Sequence, residues 1–150
     1  MQIALISDHG GFPLKNIIKD CVASAGHSVI DLSPECIAGD DYPDYAEEIA
    51  RVITTGQAER GIFICGSGVG ASIAANKIRG IYAAVCHDTY SAHQGVEHDN
   101  MNVLCLGARV IGPEMALELV NAFLSARFSA TVERHVRRVN KVYGLENRGK

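Results

Sequence analysis

At 150 residues the chain has room for one domain with a full hydrophobic core and too little for two. Apolar residues make up 47%, which excludes a disordered chain, and a net charge of −3 offers no surface for nucleic acid or an anionic membrane. The opening run Ile3-Ala4-Leu5-Ile6 meets Asp8 too soon for a signal peptide or a membrane span, so a cytoplasmic protein is expected.

Short apolar runs alternate with longer amphipathic stretches, the pattern of an α/β fold with a parallel sheet. Ile3–Ser7 is the first expected strand and Leu14–Ala25 the first helix, with Gly26 where it stops. After a strand over Ser28–Leu32 comes a helix over Tyr45–Thr54. Pro43 stands where a first helical residue belongs, Asp44, Glu47 and Glu48 complement the helix dipole, and Gly56 marks the end. Gly61–Cys65 is the third strand and Gly70–Ile78 the helix after it; Ala83–Cys86 and Val103–Gly107 complete five strands. Met115–Ala126 carries Ala116, Leu117, Val120, Phe123 and Leu124 on one stripe at helical spacing. The closing segment Val132–Tyr143 is basic, with Val132, Val136, Val139 and Val142 as an apolar face and no strand to cross to. Within a single domain over 1–150, this C-terminal helix, 131–143, is expected across the domain surface or at a subunit interface.

Five cysteines, Cys21, Cys36, Cys65, Cys86 and Cys105, are an odd number without paired spacing, which argues against a disulfide framework or a zinc site. Most read as small buried hydrophobes. Cys65 differs, because it ends a strand and runs into Gly66-Ser67-Gly68-Val69-Gly70-Ala71, a glycine loop that opens a helix. Ligands of open parallel sheets sit at such strand ends. The loop also fits G-x-G-x-x-A with Asp88 roughly 20 residues on, so a nucleotide-binding module is the competing reading. Against it, the loop is on the third strand and leaves no room for a substrate domain. A cysteine phosphatase would need arginine where Ala71 stands. What remains is proton transfer. A helix N-terminus favours the thiolate, which can take a proton from a carbon beside a carbonyl. The Gly66–Gly70 N–H groups and the Ser67 hydroxyl could then hold the oxyanion.

Four ordered blocks carry a resemblance over the whole length: Ser7-Asp8-His9-Gly10-Gly11-Phe12-Pro13-Leu14-Lys15, Asp41-Tyr42-Pro43-Asp44-Tyr45-Ala46, Cys65–Gly70 continuing to Ala74-Ala75-Asn76-Lys77, and Asn102-Val103-Leu104 through Gly107-Ala108-Arg109-Val110. In these the chain resembles the ribose-5-phosphate isomerase B family, which includes galactose-6-phosphate and allose-6-phosphate isomerases. The resemblance implies a Rossmann-like three-layer α/β/α sandwich on a five-stranded parallel sheet. It further implies a homodimer, extendable to a tetramer, with active sites drawn from both subunits and no metal or organic cofactor. The implied reaction is aldose–ketose isomerisation of a sugar phosphate, ribose 5-phosphate first among candidates. Cys65 matches the family's base, the alternative glutamate position being Ala71, and His98 matches its ring-opening acid.

Asp8 and His9 match residues that contact sugar and phosphate, and Arg109, Arg134 and Arg138 match phosphate ligands. Arginine's forked guanidinium suits a phosphate dianion, and i,i+4 spacing puts Arg134 and Arg138 on one helix face. Tyr42 is expected to contact substrate or shape its pocket, beside the loop residues Gly66, Ser67, Gly68, Val69 and Gly70. The chain departs from many relatives at Asp99, where they carry asparagine; a carboxylate there bears on which sugar is accepted. His87-Asp88-Thr89-Tyr90-Ser91-Ala92 also resembles relatives that act on tetrulose phosphates.

Overall fold

Side chains alternate across the sheet from the first strand. Ile3 and Leu5 face one layer of helices while Ala4 and Ile6 face the other, all fully buried. A strand buried on both faces reads as an unbroken apolar run, which is why the strands are legible in sequence. The computed structural model describes residues 1–146. Among these it has five strands: β1 (Gln2–Ser7), β2 (Ser28–Asp31), β3 (Arg60–Cys65), β4 (Ala83–Val85) and β5 (Val103–Gly107). They form one parallel sheet in the order β2-β1-β3-β5-β4.

Six helices complete the described residues: α1 (Phe12–Ser24), α2 (Tyr42–Thr54), α3 (Val69–Ala75), α4 (Thr89–Asp99), α5 (Pro113–Ser125) and α6 (Glu133–Leu145). Helices α1, α4 and α5 cover the face lined by Ile3, Leu5, Ile62, Ile64, Leu104 and Leu106. The opposite face, lined by Ala4, Ile6, Phe63, Cys65 and Cys105, is covered by α2 and α3. The result is the expected Rossmann-like three-layer sandwich. Helix ends fall where glycine predicted them, with Gly26 and Gly56 at φ +79° and +75°.

One element differs from the sequence reading, which has no helix between the fourth and fifth strands. The structure builds α4 there, begun by Asp88, whose carboxylate accepts the Ser91 N–H at 2.7 Å. Only Ala92 and Val96 of α4 are buried, too short an apolar stripe to declare a helix. The C-terminal segment forms α6. Helix α6 packs on α4 and buries His135 and Val139, while Val142 stays half exposed. The Tyr143 hydroxyl accepts from Asn100 Nδ2 at 2.8 Å, and its ring lies 4.8 Å from that of Tyr82.

Two buried polar devices fix what apolar packing leaves free. Lys15, 1% exposed, donates from Nζ to Asp31 Oδ1 at 3.0 Å and to the Ser33 carbonyl, and Lys19 reaches the other Asp31 oxygen. Burial alone would raise the Asp31 carboxyl; the two ammonium groups outweigh it and hold the group below its ordinary range. At the sheet's β4 edge, the Asn76 amide donates to the Ala83 carbonyl and accepts the Ala83 N–H, occupying both groups a further strand would use.

Candidate active site

Strand order reverses between β1 and β3. There the chain has left β1 for one side of the sheet and returned on the other, and the two following loops diverge. The crevice this opens is a cavity of about 340 Å³ lined by Asp8, His9, Gly10, Tyr42, Cys65, Gly66, Ser67, Gly70, Arg109 and Val110. Close packing of the loops demands small residues. A Cβ on Gly11 would stand 2.1 Å from the Ile64 carbonyl oxygen, and one on Gly70 2.8 Å from the Tyr42 ring. The α2 helix starts at Tyr42, so its ring lies directly over the glycine loop.

Cys65 is 5% exposed and closes β3 at the cavity floor. Gly68 adopts φ +81°, and that turn aims its N–H at the Cys65 sulfur, 3.0 Å away. Among the described residues the other buried thiols have no such donor. Burial pushes Cys86 up to about 11 and raises Cys105 further, which makes both inert packing groups. Ser67 accepts the Val69 N–H at 3.3 Å, which orients its hydroxyl over the same loop. The Arg109 N–H donates to the Gly66 carbonyl at 3.0 Å, tying the end of β5 to the loop.

Asp8 is buried and its Oδ1 accepts the Gly11 N–H at 2.8 Å. Burial raises its carboxyl against that hydrogen bond, and the Asp40 charge pushes the same way. His9 is held by a residue the sequence reading does not single out. Asp40 pairs with His9 Nδ1 at 2.5 Å and accepts the His9 backbone N–H at 3.2 Å. Burial would raise the Asp40 carboxyl, but His9 and the Tyr45 hydroxyl keep it low; Tyr45 itself is pushed up to about 12, by burial and then by Asp40. No motif marks Asp40, since its partner is 31 positions earlier and meets it only in the fold.

The remaining expected site residues lie elsewhere in the chain. His98 and Asp99 end α4, and Arg134 and Arg138 are exposed on α6; none lines the Cys65 cavity. Val69 opens α3 and is half exposed at the cavity's edge without lining it. A larger hollow of about 510 Å³, between β4, α4 and α6, takes in Asp99 and Arg138 but no residue of the glycine loop. Size therefore does not mark the chemistry; the convergence of thiol, hydroxyl, imidazole and guanidinium does. His98 stacks on buried His135 with ring centroids 4.1 Å apart. Burial first, then His98 and the neighbouring arginines, keeps the His135 imidazole low. Among the described residues no carboxylate pairs with Arg109, Arg134 or Arg138. Asp88, the acidic residue of the dinucleotide reading, is occupied as a helix cap, and the Ser91 N–H holds its carboxyl below the ordinary value. No group of three or more His, Cys, Asp or Glu suited to a metal ion occurs among the described residues, and no helix is long and apolar enough to cross a membrane.

Comparison with known proteins supports an aldose–ketose isomerase of phosphorylated sugars. The chain belongs to the Ribose/Galactose Isomerase family, whose model matches residues 3–142. It is 42% identical over 147 residues to ribose-5-phosphate isomerase B of Escherichia coli, covering 98% of this chain and 97% of that one. It is 45% identical over 129 residues to D-erythrulose-4-phosphate isomerase of Pectobacterium atrosepticum, 85% of either chain. Among solved structures, ribose-5-phosphate isomerase B of Clostridium thermocellum superposes with a TM-score of 0.93 at 44% identity, covering 98% of both chains.

Proposed function

We propose that the protein interconverts ribose 5-phosphate and ribulose 5-phosphate through a cis-enediolate, with Cys65 as the base. The observation that carries this reading is the Cys65 sulfur on the cavity floor with the Gly68 N–H directed at it. The thiolate takes the proton from C2 of the open-chain aldose, and the electron pair moves through C1 onto the carbonyl oxygen. The Gly66–Gly70 N–H groups and the Ser67 hydroxyl hold that oxygen. The proton returns to C1 while the C2 hydroxyl passes its own to the C1 oxygen, and the ketose results. Arg109 and His9 receive the phosphate at the cavity mouth.

His98 opens the sugar ring, and Arg134 and Arg138 complete the phosphate site together with Asp99 near the sugar hydroxyls. These residues reach the cavity from a second copy of the chain. Their exclusion from the cavity of their own subunit, and guanidiniums without a carboxylate partner among the described residues, support this homodimeric site. A four-carbon substrate is the second reading, favoured by the similarity to the Pectobacterium enzyme. A tetrose phosphorylated on its last oxygen cannot close a five-membered ring and needs no ring-opening acid. Tetrose, pentose and hexose phosphates assayed for aldose–ketose conversion without added metal decide between them. Ribose 5-phosphate is expected to give the highest kcat/KM; a tetrulose phosphate turned over faster would move the assignment to the second reading.

A further inference from the structure

The two ends of a glutamine amide are nearly isosteric, so which one faces a partner follows from what the partner can accept or donate. Gln94 sits one helical turn before His98 on α4, and its Nε2 lies 3.1 Å from Asp99 Oδ2. A carboxylate only accepts, which identifies that end of the amide as the NH2 group. The same nitrogen lies 2.9 Å from His98 Nδ1. An NH2 group cannot accept, so Nδ1 is the lone-pair nitrogen and the neutral ring carries its proton on Nε2. Glu97 Oε2, 3.7 Å from Nε2, favours a proton on the same side.

We propose that Asp99, acting through the Gln94 amide, locks His98 in the Nε2–H tautomer and thereby weights the site toward sugar phosphates presented in open-chain form. This rests on the ring-opening role given to His98 above. In that step the ring oxygen takes a proton as its bond to the anomeric carbon breaks, and the anomeric hydroxyl loses one to water. His98 can donate its Nε2–H as a hydrogen bond to the ring oxygen. Outright transfer starts instead from the imidazolium, with hydrogens on both nitrogens, and loss of its Nε2 proton leaves the neutral ring with its hydrogen on Nδ1, set against an amide N–H. Asp99 thus holds back full proton transfer, while enolisation at Cys65 is untouched. The groups facing His98 are Gln94, Glu97 and Asp99 from α4 and His135 from α6, with Arg134 bonded to His135 Nε2 at 3.2 Å. Gln94 and Asp99 are positioning residues in this account.

The test combines two variants with two readouts. In Asp99→Asn the side chain can donate, which frees the Gln94 amide to turn and accept from Nδ1–H. In Gln94→Glu only an acceptor remains. Long-range proton–nitrogen correlation spectra of 15N-histidine-labelled protein, above the range where histidine titrates, report the tautomer; the His98 signal is assigned by its loss in His98→Asn. Wild type is expected as Nε2–H, Gln94→Glu as Nδ1–H and Asp99→Asn as a mixture. A free histidine already leans to Nε2–H, so the two variants carry the weight of the test. In initial rates, Asp99→Asn is expected to raise conversion of a cyclic aldose phosphate about three- to tenfold relative to an open-chain ketose phosphate, the range of one hydrogen bond. A wild-type Nδ1–H signal, or variants that leave the tautomer unmoved, overturns the proposal whatever His98 does in catalysis. A moved tautomer with an unchanged rate ratio overturns its specificity half. If His98→Asn leaves cyclic substrates unaffected, the ring-opening assignment fails and the tautomer result is judged by the spectra alone.

Discussion

Replacing Cys65 separates its proposed chemistry from its packing, because the sulfur meets both a backbone donor and the cavity. It accepts the Gly68 N–H at 3.0 Å, and it borders the cavity. In Cys65→Ala that N–H loses its acceptor, which in a sealed core costs about 1–3 kcal/mol. Here the cavity is open and water can reach the vacated place, so about 1 kcal/mol is expected, a fall in Tm of about 2–4 °C for a chain of this size. Cys65→Ser keeps an acceptor and is expected within ~1 °C of wild type. The rate responds differently. Loss of a positioned base costs about 10²–10⁴-fold or more, and a serine hydroxyl is too weakly acid to replace the thiolate near neutral pH. Both variants are therefore expected to be folded and nearly inactive in steady-state kinetics. Wild-type turnover in D2O should place deuterium on the carbon that receives the proton. Activity in both variants within a few-fold of wild type would remove Cys65 from the mechanism, and so would turnover of the folded alanine variant that incorporates label at the wild-type rate.

Four further perturbations test the rest of the site and the buried pair at Lys15. Arg109→Ala, Arg134→Ala and Arg138→Ala are each expected to weaken substrate binding by about one to two decades, read as KM or as the inhibition constant of inorganic phosphate. If the site spans two subunits, mixing inactive Cys65→Ala chains with Arg138→Ala chains under subunit exchange, assayed at substrate far below KM where the arginine variant keeps about 1–10% of wild-type activity, should restore about a quarter of that activity, since half the dimers are mixed and each holds one intact site; no recovery from exchanged dimers would place the site within one chain. His98→Asn is expected to slow initial conversion of a cyclic aldose phosphate far more than conversion from an open-chain ketose phosphate, and equal losses would assign it to the proton transfer itself. Lys15→Met should cost about 3 kcal/mol, the lower end for breaking a buried pair, because Lys19 still covers Asp31. The Asp31 carboxyl is held below its unfolded value, so the pair's stabilisation is complete above about pH 4 and fades as pH falls through the folded value. Denaturant titrations should show the gap between wild type and Lys15→Met narrowing in acid, and a gap that widens there would refute the pairing.

The sheet and the glycine loop were legible because local chemistry determines them. Each strand is an apolar run buried on both faces, and Cys65-Gly66-Ser67-Gly68 stands at a strand end, where such folds place ligands. Helix α4 was not legible, since its two buried side chains give no stripe and its start rests on the Asp88 side chain. Nor were Asp40, Gln94 or His135, whose roles come from partners. Asp40 acts through His9, 31 positions away; Gln94 through the hydrogens its neighbours can supply; His135 through a ring stack between α4 and α6. A motif can mark a residue that meets substrate, but the residue that holds it in place is identified only by geometry.

Lys15 shows how a buried polar network and the candidate site share parts. Its Nζ binds Asp31 and the Ser33 carbonyl, Asp31 Oδ1 accepts the Ser33 N–H at 3.2 Å, and the Ser33 hydroxyl accepts the Ser7 N–H at 2.9 Å. Ser7 is the last residue of β1, and Asp8 and His9 follow at once into the cavity. A lysine reads from sequence as a surface residue, yet this one is fully enclosed and anchors the chain that aims the first two cavity residues. Apolar packing could not do the same, because apolar contacts are non-directional and tolerate small slides, whereas each bond of this network fixes an atom. Disturbing Lys15 should therefore raise KM through Asp8 and His9 at temperatures where the fold itself is intact. The polar core beneath the β1 loop is in that sense the support of the candidate site.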